Sequence, residues 1–113
     1  MVLSGAPDDV SRRLIEIIRG RIYSFDVARF YIGRTFNLAG RQKQHGCDLL
    51  IPLYQTQSLP NAKTVEAFLI RHFGNHKKFF FGPSSRNTAS DSRGRTTQGI
   101  QYVYLAIWRP RFF

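Results

Sequence analysis

The stretch RIYSFDVARFYIGRTFNLAGRQKQH, residues 21–45, decides the fold. It opens with two short β-branched and aromatic runs, RIYSF and RFYIG, joined through Asp26, Val27, Ala28 and Arg29. Such runs around a short polar joint predict a tight hairpin, with antiparallel strands at about 21–25 and 29–33. Asn37 can then cap a helix that Gly46 closes. On that helix Leu38, Arg41, His45 and Leu49 stand at i, i+3, i+7 and i+11, so a cation and an imidazole share the face marked by leucines. Taken alone, an Arg–His pair at this spacing is commoner as a surface pair or a satisfied core contact.

Upstream, Val10, Leu14, Ile17 and Ile18 recur at helical spacing behind Asp8 and Asp9, which predicts a helix over about 8–19 with Gly20 at its end. Downstream, the run Leu49 to Tyr54 is apolar but broken by Pro52, as in a short strand or an irregular core segment. NAKTVEAFLIRHFG, residues 61–74, returns to helical periodicity with Asn61 as cap and Gly74 as stop. KKFFFG suits a short extended piece, and IQYVYLAIW, residues 100–108, is apolar on both alternate faces, as in a strand buried on both sides. Between these, residues 82–99 are Gly, Ser, Thr, Asn and Arg with almost nothing apolar. A connection of that length is functional or disordered, and Arg86, Arg93 and Arg95 favour contact with phosphate.

On a wheel at ~100° per residue, Leu69, Ala62, Phe73, Glu66 and Ile70 fall in one arc. An ionised carboxylate inside an apolar stripe must be protonated, paired with a cation, or bound to a metal. Pairing with an arginine at the rim of the stripe is as good a reading as a metal. The chain's other glutamate is Glu16, and its aspartates fall at the start of the chain or in expected turns. A divalent ion site here therefore has one protein carboxylate and several waters, which suits Mg²⁺. Tyr23 and Tyr31, on paired strands, are either core aromatics or hydroxyls aimed at the helix bearing Arg41.

The chain has 113 residues, 42% of them apolar, as expected of one domain with one core. No window approaches ~18 consecutive apolar residues, and MVLSGAPDDV is unlike a secretory signal. A soluble, intracellular protein with no membrane partner is expected. The lone cysteine, Cys47, forms no internal disulfide, and no Cys/His spacing suits zinc. Seventeen Lys and Arg, thirteen of them Arg, stand against seven Asp and Glu, a net charge of +10. That excess points to a polyanion, since arginine forks onto phosphate oxygens, while a basic surface that aids solubility is the plainer reading.

RIY, seven residues, YIG, then RTFNLAGRQKQH and EAFLI together resemble the GIY-YIG nuclease family over about residues 20–75. That family pairs two Tyr motifs on a hairpin, places an Arg ten residues after the second Tyr and often a His four beyond it, and carries a metal-binding Glu on a later helix. Tyr31 to Arg41 is ten residues and Arg41 to His45 is four. Arg21 stands where the first motif has glycine, Arg34 where many members carry Lys, and Asn75 and Asn87 both compete for the family's late Asn.

The resemblance implies a small three-layer α-β-α sandwich with a short, mainly antiparallel sheet flanked by helices. It implies a DNA endonuclease in which Tyr23 or Tyr31 is the general base with His45 in relay, and Arg41 clamps the transition state. Glu66 would hold one Mg²⁺, for which Mn²⁺ can substitute. Arg34, Lys43, Asn75, Arg86, Arg93 and Arg95 are the expected substrate contacts. The substrate would be duplex or branched DNA, and a chain of 113 residues, with little room for a separate recognition domain, would be structure-selective, weakly specific, a homodimer, or directed by a targeting partner. A nucleic-acid-binding module without catalysis is the competing reading, and binding alone has no use for Glu66 within a cationic surface; a basic component of a ribonucleoprotein is a third, marked by no metal requirement and by persistent association with RNA.

Overall fold

Pro7 starts the first helix, α1 (Pro7–Ile22), at a position where its missing N–H costs nothing, with Asp8 and Asp9 in the first turn and Arg19 and Arg21 in the last, as the helix dipole favours. Val10, Leu14, Ile18 and Ile22 make one buried stripe at i+4 spacing. Burying Ile22 carries the helix through Gly20, whose cost inside a helix is ~1 kcal/mol. The expected strand at 21–25 is therefore absent, and with it the hairpin. Tyr23 caps the helix, and the chain turns through Ser24 and Asp26, whose side chains hydrogen-bond each other. Lys78 Nζ donates to the carbonyls of Ile22 (2.8 Å) and Ser24 (3.2 Å), so a cation closes the helix's negative end.

A computed structural model describes residues 2–79 and 99–111. Within them β1 (Arg29–Thr35), α2 (Leu38–His45), β2 (Leu49–Thr56), α3 (Leu59–Phe73) and β3 (Gln101–Trp108) follow α1. The sheet order is β1-β3-β2, antiparallel throughout. β1 thus pairs with the far end of the chain rather than with its neighbour. The last strand lies in the centre, which accounts for apolar residues on both its faces. Pro52 falls on an edge strand, where the missing donor is tolerated, and the register shifts between Pro52 and Tyr54.

Alternation along the strands separates two faces. Phe30, Ile32, Leu53, Val103, Leu105 and Ile107 form the main core with α1 and α3. Tyr31, Tyr104 and Ala106 form a smaller core with Leu38 and Leu50 under α2. The result is an α/β fold, three helices packed on a three-stranded antiparallel sheet, with helices on both faces as in the expected sandwich.

Asn37 caps α2 through its side chain, which accepts from Gly40 N at 3.0 Å, and Gly46 ends it at φ +64°, a left-handed conformation natural to glycine. α3 begins two residues before the expected Asn61: Ser58 is the cap, and Pro60 sits in the first turn. Among the described residues no helix is long and apolar enough to cross a membrane.

Candidate active site

α2 is short and polar, and beside Leu38 it takes a guanidinium and an imidazole out of solvent. Arg41 is 6% exposed and His45 half-buried. The sheet beneath offers Tyr31 and Gly33 from β1 and Tyr104 from β3, where Gly33 and Tyr104 are register partners. His45 Nε2 lies 2.7 Å from the Tyr104 hydroxyl. The Tyr31 ring stands 5.2 Å from that of His45 and 6.3 Å from that of Tyr104.

Glycine is required at position 33. A Cβ there would lie 2.5 Å from the Tyr104 hydroxyl oxygen and 2.7 Å from Cε2 of Tyr31. The missing side chain is the space into which the Tyr104 phenol reaches toward His45. Gly33→Ala is expected to cost about 1–3 kcal/mol in thermal or urea denaturation, as overpacking does, and to break the Tyr104–His45 contact. An unchanged midpoint would show that the two rings move aside freely.

Across the sheet, Arg34 continues the inward row of Phe30 and Ile32. It is 3% exposed, and its Nε donates to Glu66 Oε1 at 3.3 Å. Of the readings left open for Glu66, the structure therefore has the cation pair. Arg34, expected to contact substrate, turns instead into the core beneath α3. Burial pushes the Glu66 carboxyl above its ordinary range, and the opposing charges of Arg34, Arg41 and Lys63 do not overcome it.

Arg41 connects the two clusters. Its charge acts on Glu66, on His45 and on Tyr104 alike. Burial foremost, then Arg41, holds the His45 pKa below its usual 6.5. Burial also drives the Tyr104 phenol far above the ordinary range, with Tyr31 reinforcing it and Arg41 opposing. At neutral pH the imidazole is thus neutral and the phenol protonated, and the hydrogen bond between Tyr104 and His45 Nε2 runs in the direction that the imidazole tautomer sets. Arg41 also lines a surface hollow of about 210 Å³ with Thr35, Phe36, Asn37, Gly40 and Gln44, through which solvent approaches it.

The donor set suits one kind of metal. Among the described residues no group of three His, Cys, Asp or Glu could hold an ion. Arg34 occupies Glu66 Oε1, and no hydrogen bond to Oε2 occurs among the described residues. One carboxylate oxygen fits a Mg²⁺ that keeps most of its waters and does not fit Zn²⁺ or Ca²⁺, which need several protein ligands.

The expected residues separate into three groups. Tyr31 and His45 come together under α2 with Arg41 on the same short helix, while Glu66 lies across the sheet beneath α3, within reach of the Arg41 charge. Tyr23 does not join them: it is 70% exposed at the end of α1, its ring edge-on to His76 at 6.4 Å, because the strand meant to carry it is helix and turn. Lys43 is exposed on α2 and Asn75 exposed in the turn after α3; Asn87, Arg86, Arg93 and Arg95 lie outside the described residues. Tyr104 was not expected. A glycine on a strand leaves a hole beside it, and the large side chain of the neighbouring strand fills it; that signal was readable only with the β1–β3 pairing known. Comparison of the chain with protein-family models, with curated proteins and with solved structures finds no match, so its chemistry is read from these residues alone.

Proposed function

We propose that the chain is a metal-dependent DNA endonuclease of the GIY-YIG kind. The observation that carries this reading is Arg41, a buried guanidinium opening to a surface hollow, whose charge reaches an imidazole, a phenol and a carboxylate at once. A purely structural arginine has no need of all three. The likeness rests on Tyr31 and Gly33 of the second tyrosine motif and on Arg41, His45 and Glu66 downstream of it. The other phenol of the site is Tyr104 in place of Tyr23.

Hydrolysis of a phosphodiester adds water to phosphorus and releases the 3′ oxygen. A free phenol is a poor base, because its pKa of ~10 leaves about 0.1% ionised at pH 7, and burial makes Tyr104 poorer still. Tyr104 therefore works as a conduit. It takes the proton of the attacking water as it gives its own to His45 Nε2, already 2.7 Å away, so no full phenolate charge develops in the apolar layer. Arg41 binds the phosphate at the hollow and stabilises the charge that grows on its oxygens. Arg34 holds Glu66 in a fixed orientation. A divalent ion at Glu66, when bound, supplies charge neutralisation at the phosphate and at the leaving oxygen.

The test is cleavage of labelled duplex, single-stranded, flap and four-way-junction DNAs with Mg²⁺, Mn²⁺ or EDTA. Metal-dependent cutting is expected, reduced on the order of 10²-fold in Tyr104→Phe, the usual size of a lost proton-transfer group. The neutral form of His45 is the working one, and its pKa lies below 6.5. The rate should therefore hold as pH falls through 6.5 and drop about tenfold per unit once His45 protonates. Cutting that persists in EDTA, or a rate indifferent to Tyr104→Phe, would overturn the assignment. The Arg34–Glu66 pair favours one other reading, a nucleic-acid-binding module that uses the pair as a structural contact; that reading requires tight binding with no cleavage under any metal.

A further inference from the structure

β1 runs into α2 through two residues, Phe36 and Asn37, and the backbone on either side of Phe36 is tied down. Thr35 is in register with Tyr102 on β3, and its Oγ1 accepts from Asn37 N at 3.0 Å. Asn37 in turn accepts from Gly40 N through its side chain at 3.0 Å and from Arg41 N through its carbonyl at 3.1 Å. Phe36 therefore stands at a fixed place on the rim of the hollow of about 210 Å³ that Arg41 also lines. It is 46% exposed, which leaves much of an apolar ring in water. The other exposed aromatics described have company: Tyr23 meets His76 edge-on, Phe68 stacks on His72, and Phe25 has an interaction of its own. Among the described residues, no ring or cation contact belongs to Phe36.

We infer that Phe36 is the stacking platform for an unpaired base next to the phosphate bound at Arg41, and so selects substrates in which that base is free of its duplex. The inference rests on the nuclease reading for the class of its ligand and adds to it the form of the substrate. The hollow is smaller than the ~300 Å³ at which pockets for whole small molecules begin, so it takes a phosphate with part of its sugar and leaves the base outside, at the rim. There Phe36 offers a flat apolar face. Thr35, Asn37, Gly40 and Gln44, the other described residues around the hollow, bring no negative charge to repel the phosphate. Stacking on an aromatic side chain tolerates any sequence, because every base has such a face. A base within an intact duplex is already stacked and paired, and drawing it out is least costly where the base is mismatched or unpaired. Flaps, junctions and single strands present such a base; a continuous duplex does not.

The experiment measures binding of the full chain in EDTA to labelled oligothymidylate and to a labelled duplex of equal length, by anisotropy at several salt concentrations, for the wild type, Phe36→Ala, Phe36→Leu and Phe36→Trp. A surface ring can be replaced with little change in stability, and the thermal midpoint of each variant checks its folding. Phe36→Ala and Phe36→Leu are expected to bind the single strand roughly 5- to 150-fold more weakly than the wild type, the range for removal of one stacking aromatic, with duplex affinity unchanged. The log K against log salt slope should stay as it is, because no phosphate contact is lost. Phe36→Trp should bind the single strand at least as tightly as the wild type, since an indole stacks as a phenyl ring does. Single-strand affinity indifferent to Phe36→Ala, an equal loss on the duplex, or full binding by Phe36→Leu overturns the inference, as does a wild type that does not bind the single strand. Cleavage of flap, junction and duplex DNAs is scored separately with Mg²⁺. A protein that shows the affinity loss but cuts nothing keeps the base contact and loses the nuclease; one that cuts with metal and shows no affinity loss in Phe36→Ala does the reverse.

Discussion

Replacing Arg41 by alanine is expected to lower DNA cleavage on the order of 10³-fold, the scale at which a preorganised group facing transition-state charge acts, while binding measured in EDTA changes little. On the proposed reading, the charge that accumulates on the phosphate during attack would be met by the Arg41 guanidinium, whereas ground-state affinity would be shared among many exposed arginines. Arg41→Lys should recover only part of the rate. A lysine ammonium is a compact point charge that cannot present a planar fork to two phosphate oxygens. The substitution to alanine also acts on two groups inside the protein. With the arginine gone, Glu66 loses one of the charges that offset its burial, and its carboxyl moves further above the ordinary range. His45 loses a neighbouring positive charge and becomes easier to protonate. The residual activity of Arg41→Ala should therefore begin its acid decline at a higher pH than that of the wild type. A rate within tenfold of wild type would remove Arg41 from the chemistry, and an unmoved pH profile would separate it from His45.

Which of these features were open to reading depended on whether their cause was local. The stripe of α3 is a property of fifteen consecutive residues, and the position of Glu66 within it follows from helical spacing. The shared face of Arg41 and His45 is likewise set by one turn of α2. RIYSF failed because five residues satisfy strand and helix patterns together, and burial of Ile22 against the main core decided the matter. The inward turn of Arg34 follows from alternation behind Phe30 and Ile32, but its partner lies 32 residues away on another element. Tyr104 was the least legible. Its role depends on β1 pairing with β3 across most of the chain, and nothing local to residues 100–108 marks one of the two tyrosines there as facing a glycine.

The Arg34–Glu66 pair gives the sharpest separation of structure from chemistry. Removing one member of a buried ion pair leaves the other desolvated and uncompensated, so Glu66→Ala should cost about 3–5 kcal/mol in urea denaturation. Its loss of cleavage would then say little about a metal. Glu66→Gln keeps an acceptor for Arg34 Nε and removes the anionic metal ligand; it should retain more of the fold than Glu66→Ala and still lose cleavage. The pair itself contributes little net stability, because burial outweighs Arg34 in setting the Glu66 carboxyl. Arg34→Met/Glu66→Leu should accordingly recover most of what Glu66→Ala loses, since apolar residues of similar volume replace both charges at once. The pH dependence has a definite sign. A carboxyl whose folded pKa is raised above its ordinary value of 4.5 favours the folded state while protonated, and that contribution is lost as pH rises through the interval between 4.5 and the folded value. The wild type in EDTA should lose stability across that interval, and Glu66→Gln should not. Excess Mg²⁺ above the interval should restore stability to the wild type only, by mass action on the folded form. Restoration in Glu66→Gln as well would place the ion elsewhere, and a fully stable Glu66→Ala would mean that Arg34 finds another partner when the carboxylate is gone.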